Sequence, residues 1–311
     1  MTRTAASAQK LLDETKRQLE WAPTRPAPAL DSLVSHLRAV KREQSPREWN
    51  ATVEECRTHS LRKLLHQDPL SARAYARPRG YQGDAELLDL IYTGDYRPLS
   101  AVPVTELGDA IFRYTIQCKA PKAVRIRRDF LVTQIDEVCE SIPSAHILSV
   151  ACGHLREAEL SDSVQSRAFG RFVALDQDPD SLKVVTQTCG ALGVEAVRGS
   201  VKTLLSGSLV SDKFDFIYTA GLYDYLEQRL AQRLTEKLFE MLRPRGRLLI
   251  ANYLPDLEDV GYMETYADWR LIYRDAAAMR RLTETIAAPI ASVRIFPDTS
   301  QTVVYLELHA S

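Results

Sequence analysis

The chain has 311 residues, 45% of them hydrophobic, and a formal net charge of -1 from 40 basic and 41 acidic side chains. That length holds one large domain, or a core domain with a smaller companion. Nucleic acid or an anionic membrane surface requires a basic excess gathered on one face, so the even balance argues against either as a partner; the basic run "VRIRRDF" (124–130) reads as a solvated helix face.

The five cysteines, Cys56, Cys118, Cys139, Cys152 and Cys189, are odd in number and form no C-x-x-C. Reduced thiols and a cytoplasmic address are expected, with no disulfide framework and no metal site. The N-terminal stretch lacks the apolar core of a secretory signal, and no apolar run approaches the ~20 residues of a membrane helix.

Residues 1–143 carry helical spacing and no convincing strand. "ASAQKLLDETKRQLEW" (6–21) is a first helix, "APTRPAPA" (22–29) a stiff proline connector, and "DSLVSHLRAVKRE" (31–43) a second helix. The stretch 45–66 reads as a third, opened by Ser45 as N-cap, Pro46 at the first helical position and Glu48 closing a capping box. Two glycine turns flank a short amphipathic helix in "ARPRGYQGDAELLDLIYTGDY" (76–96), and helices over 105–118 and 122–142 complete this region.

From residue 144 the pattern becomes strand–helix alternation. The strands are "HILSVAC" (146–152), "RFVALD" (171–176), "VEAVRG" (194–199), "FDFIYTA" (214–220) and "GRLLIANYL" (246–254), with helical segments between them and on to about 285. Such alternation predicts a parallel sheet covered on both faces. Two last strands, 291–298 and 301–310, are joined by a short turn and should pair antiparallel at the sheet edge. The expected domains are therefore a helical region, 1–143, and an α/β region, 144–311.

Ligands of open parallel sheets bind beyond the carboxyl ends of the strands, where strand order reverses. The first strand ends at Val150, Ala151, Cys152 and Gly153, and a glycine there lets backbone approach a ligand closely. Asp176 ends the second strand, placed to accept from both ribose hydroxyls of a nucleoside; Asp180 is expected to cap the helix that follows.

Together "HILSVACG", "VALDQDPDSL", "VRGSV", "FDFIYTAGLYDYL" and "MLRPRGRLLIANY" resemble the class I S-adenosylmethionine-dependent methyltransferases over about residues 146–308. "RPRGYQGDAELLDLIY", "AVRIRRDFL", "AGLYDYL" and "DWRLIYR" narrow the resemblance to bacterial methyltransferases of hydroxy-fatty-acid methyl ester biosynthesis and their secondary-metabolism relatives, over about 70–308. It implies a Rossmann-like, mostly parallel seven-stranded sheet with an antiparallel last strand, an added helical N-terminal lid, and S-adenosylmethionine as cofactor. By the same resemblance Ala151, Cys152 and Gly153 form the turn under the methionine part. Asp176 holds the ribose hydroxyls and Gln177 lies beside the adenine, whose edge Ser200 and Val201 flank. Ala220, Gly221 and Leu222 line the floor near the sulfonium, and Arg127 or Arg128 pairs with the cofactor carboxylate.

The family loop reads acid-x-Gly-x-Gly-x-Gly. Here Ser149 stands for the acid, Ala151 for the first glycine and Leu155 for the third, so one partner of the cofactor's ammonium group is missing and the loop is narrowed. His154 is expected to be a partly exposed turn residue, and Arg156, ill placed at a helix N-terminus, to aim at a carboxylate. Ten tyrosines fall in lid or post-strand segments, most expected to pack; Tyr81 and Tyr223 are singled out for the sulfonium and Asn252 for the substrate side.

Methyl transfer to a small-molecule acceptor, of carboxylate or secondary-metabolite type, is the leading expectation. The alternative is a cyclase that converts the cofactor alone to azetidine-2-carboxylate and methylthioadenosine, since fold does not fix reaction. A non-catalytic binding module is opposed by Gly153 and Asp176, and a dehydrogenase by the absence of G-x-G-x-x-G. Pairing into a homodimer is compatible with the sequence.

Overall fold

The structure is a computed structural model describing residues 3–99, 103–207 and 212–311, with side chains from residue 9 onward. Helices come first: α1 (Arg3–Trp21), α2 (Ala27–Glu43), α3 (Pro46–Thr58), α4 (Leu61–Leu65), α5 (Pro69–Ala76), α6 (Ala85–Thr93), α7 (Glu106–Thr115) and α8 (Lys119–Ser141). The capping box at Ser45 and Glu48 forms as expected, with Pro46 in the first turn. The proline stretch is shorter as a connector than expected. Pro26 takes the N-cap of α2 and Pro28 sits in its first turn, where a missing N–H costs nothing. The third helix is interrupted at His59, whose extended backbone (ψ 144°) ends α3.

The sheet strands are β1 (His146–Val150), β2 (Arg171–Asp176), β3 (Val194–Arg198), β4 (Phe214–Thr219), β5 (Leu242–Tyr253), β6 (Ile290–Pro297) and β7 (Val303–Ala310). Their order is β3-β2-β1-β4-β5-β7-β6. Neighbours from β3 to β5 pair parallel, whereas β7 runs antiparallel to both β5 and β6. This is the seven-stranded, Rossmann-like sheet expected, and its strand order reverses between β1 and β4. The connecting helices are α9 (Arg156–Leu160), α10 (Asp162–Gln165), α11 (Pro179–Cys189), α12 (Val201–Leu205) and α13 (Gln228–Glu240). The helical segment after β1 breaks at Ser161, which caps α10 and donates its hydroxyl to Asp136. β5 begins four residues before the Gly246 start expected, because the "RPRG" turn is absorbed into the strand. Arg245 is left-handed (φ 62°), and a side chain at Gly246 would meet two backbone carbonyls within 3 Å.

Contacts divide the chain into two compact units. One comprises residues up to Val124 with Asp256–Arg270, the other Arg125–Pro255 with Leu271–Ser311. The helical unit buries Leu30, Leu33 and Leu37 of α2 with Trp49, Val53, Tyr262 and Tyr266. Gly261 permits the close approach there, since a Cβ would lie 2.6 Å from that of Leu37. Glu264, buried, accepts from Trp49 Nε1 (2.7 Å) and Lys41 Nζ (2.8 Å). In the sheet unit, alternate strand residues Leu148, Val150, Val173, Leu175, Ile217 and Ile250 pack on Ala231, Leu234 and Leu238 of α13. The residues between them, Ser149 and Tyr218 among them, belong to the opposite face. Among the described residues no helix is long and apolar enough to cross a membrane.

Candidate functional site

The carboxyl ends of β1, β2 and β3 are laced together by hydrogen bonds. Cys152 N–H donates to Leu175 O (3.1 Å), Gly199 N–H to Asp176 O (2.8 Å) and Gly153 N–H to Asp176 Oδ2 (2.8 Å). Asp176 Oδ1 accepts from Asp178 N–H (2.9 Å). Asp176 thus fixes the glycine turn while using part of the roughly four acceptor positions a carboxylate has. It is buried, and burial raises its pKa above the ordinary carboxylate value.

The turn after β1 has a conformation that its sequence hides. Ala151 (φ 56°), Gly153 (φ 56°) and Leu155 (φ 54°) are all left-handed. By the resemblance these are the three positions that carry glycine in the family loop, and here two of them are left-handed without it. A left-handed residue other than glycine costs about 1–2 kcal/mol. Leu155 offsets this by burying its side chain, whereas Ala151 is exposed. His154, expected to be partly exposed, is buried, carried inward between these two left-handed residues. Arg156 pairs with Glu159 one turn on (2.5 Å), on its own helix.

The N-cap of α11 is Asp178, whose side chain accepts from Asp180 N–H, and not Asp180. Pro179 explains the shift: it occupies the first helical position, so the residue before it must be the cap. Gln177, beside Asp176, is exposed. Ser200 caps α12 through a capping box with Thr203, and Val201 is half-buried behind it. Ala220, Gly221 and Leu222, half-buried, follow β4. A side chain at Gly221 would lie 3.9 Å from Arg127 Nη2, which brings the α8 guanidinium to that turn. Arg127 is buried and lies over the Tyr253 ring at 5.9 Å; Arg128 pairs with Asp129 (2.8 Å).

Of the remaining residues, Tyr223 is fully buried in the sheet core and its hydroxyl engages Thr235 Oγ1 (2.9 Å). Asn252 is equally buried. Its amide donates to Ile272 O (2.9 Å) and its carbonyl accepts from Arg274 Nη1 (2.7 Å). Tyr81 belongs to the helical unit, in the turn between α5 and α6. Other tyrosines do pack and satisfy their hydroxyls: Tyr262 on Ser71, Tyr114 on Asp31 and Tyr96 on Asp109.

Four further residues, not singled out from the sequence, are buried and hydrogen-bonded near these strand ends. Glu157 and Tyr218 share a hydrogen bond at 2.8 Å, and both are buried. Arg274, 2% exposed, donates to Tyr223 O, Leu226 O and Asn252 Oδ1. Asp224, 2% exposed, accepts from Tyr253 N–H (2.8 Å), and burial raises its pKa to about 6 against the opposing pull of Arg127 and Arg274. The register between β1 and β4, which sets Ser149 opposite Tyr218, is the signal for the first pair, and only the assembled sheet supplies it.

No family model matches the sequence, and no curated protein does. Solved structures do match by shape. A possible exported protein from Bordetella parapertussis is 16% identical, with 100% of this chain and 99% of that one covered and a TM-score of 0.61. The S-adenosylmethionine-dependent methyltransferase SibL is 18% identical, with 78% and 69% covered and a TM-score of 0.50. The chain has the class I methyltransferase fold. At these identities the likeness concerns the fold alone, and the site must speak for the chemistry.

Proposed function

We propose that the protein is an S-adenosylmethionine-dependent methyltransferase acting on a small-molecule acceptor. The observation that carries this reading is the turn after β1, left-handed at residues 151, 153 and 155 and tied through Gly153 N–H to the buried Asp176. Those features suit a nucleoside whose methionine arm lies along bare backbone. The unused acceptor positions of Asp176 would take the two ribose hydroxyls. By the resemblance, Gln177, Ser200 and Val201 would flank the adenine, and Ala220, Gly221 and Leu222 would line the floor near the sulfonium. Arg127, reaching the Gly221 turn from α8, suits the cofactor carboxylate by its position.

When bound, the cofactor supplies a methyl group already electrophilic at sulfur. The chain's own work is then to align a nucleophile and exclude water. A carboxylate acceptor needs no base, and the resemblance to methyl-ester-forming enzymes favours a small carboxylic acid. A cytoplasmic location, expected from the cysteines, belongs to the same reading.

The test is to incubate purified protein with S-adenosylmethionine alone, then with a panel of small carboxylic acids, and to identify the products by mass spectrometry. S-adenosylhomocysteine formed only with an acid, together with its methyl ester, is the expected result. Methylthioadenosine with azetidine-2-carboxylate, formed without an acid, would replace methyl transfer by cyclisation. Failure of the folded protein to bind S-adenosylhomocysteine would refute both.

A further inference from the structure

The resemblance leaves the cofactor's ammonium group without its strand-borne acid, because residue 149 is serine. The structure has another carboxylate close to that position. Ser149 and Tyr218 are register partners on β1 and β4, so their side chains share a sheet face. The Tyr218 hydroxyl donates to Glu157 Oε1 at 2.8 Å. Glu157, in the first turn of α9, therefore holds its carboxylate one hydroxyl away from the vacated acid position. We propose, on the reading above, that Glu157 binds the α-ammonium of the cofactor's amino-acid end, with Tyr218 as the residue that positions it.

Three features support this assignment. Glu157 is only 7% exposed, and a buried carboxylate is costly unless a cation or several donors compensate it. The Tyr218 hydroxyl fills one of its roughly four acceptor positions. Burial raises its pKa, against the opposing pull of its own backbone N–H, the Tyr218 hydroxyl and the charges of Arg127 and Arg128. Arg127 is near enough to act on this same carboxylate and also reaches the Gly221 turn. One carboxylate and one guanidinium at the ends of β1 and β4 are complementary to the two ends of an amino-acid zwitterion. An amine held as ammonium by Glu157 is also no nucleophile, which favours methyl transfer over cyclisation.

Calorimetry with two probes tests the proposal. S-adenosylhomocysteine carries the amino acid, whereas methylthioadenosine carries the same nucleoside without it. In Glu157→Gln, S-adenosylhomocysteine should bind about tenfold or more weakly, as loss of a charged partner implies, with methylthioadenosine affinity unchanged. Tyr218→Phe should show the same selectivity at smaller size. Wild-type protein probed with desamino-S-adenosylhomocysteine gives a reading that needs no variant: the missing amine should cost a similar factor, and Glu157→Gln should add nothing further. Equal weakening of both probes, no weakening of either, or a desamino analogue that binds wild type as well as the parent would overturn the assignment of Glu157. If wild type binds neither probe, the cofactor reading itself has failed, and this inference with it.

Discussion

Replacing Arg274 with methionine should loosen the carboxyl ends of β4 and β5 together. The guanidinium is almost fully buried and donates to Tyr223 O (2.6 Å), Asn252 Oδ1 (2.7 Å) and Leu226 O (2.5 Å), with a longer contact to Gln228 Oε1 (3.4 Å). Methionine fills much of the volume but leaves three acceptors without their donor and removes one of two cations acting on the buried Asp224. Breaking a buried charged network by deleting one partner costs about 3–5 kcal/mol. For a domain of this size that lowers the melting temperature by on the order of 10 °C. The deficit should also depend on pH. Asp224 titrates near 6 in the folded protein against an ordinary 3.8, so its contribution to stability is full below the lower value and falls as pH rises through the higher one. Without Arg274 the ionised form is penalised more, and the protonated form is not. The loss measured by denaturant unfolding should therefore be larger at pH 8 than at pH 5. A loss below about 1 kcal/mol would show that the network is not what anchors this region. Equal losses at the two pH values would refute the coupling to Asp224.

Asp176→Ala should weaken S-adenosylhomocysteine binding at least several-fold, because charge-assisted bonds to the ribose and the tether on Gly153 N–H are lost together; unchanged affinity in calorimetry would place the cofactor elsewhere. Ala151→Val should destabilise the protein by about 1–2 kcal/mol, a β-branched residue being poorly suited to φ 56°, while Ala151→Gly should not; denaturant midpoints decide. Gly261→Ala should lower the melting temperature of the helical unit, since the new methyl meets the Leu37 backbone at 2.7 Å and a backbone cannot step aside cheaply. Burial raises the thiols of Cys56 and Cys139 to about 11 and that of Cys152 in the same direction, so at pH 8 all three should react with a thiol reagent far more slowly in the native protein than in denaturant.

The sequence by itself determined the sheet and its order of elements. Strand–helix alternation, the terminal hairpin and the capping box at Ser45 are local patterns, and local patterns survive reading one segment at a time. The place of Gly153 and Asp176 at strand ends was legible for the same reason. The cap at Asp178 is equally local, but there Pro179 outweighs the preference of Asp180. Only the tertiary structure decided the rest. Residues 151 and 155 align with glycine positions only through the resemblance; that Ala151 and Leu155 keep a left-handed backbone there is seen in the folded chain alone, where Leu155 is buried and Gly153 is tied to Asp176. Tyr223 and Asn252 have residue types that suit a site, but the core and Arg274 engage them. Glu157 and Tyr218 are 61 residues apart, and no periodicity links them. The register of β1 against β4 sets Ser149 beside Tyr218, and that hydroxyl fixes where the buried carboxylate of Glu157 comes to rest.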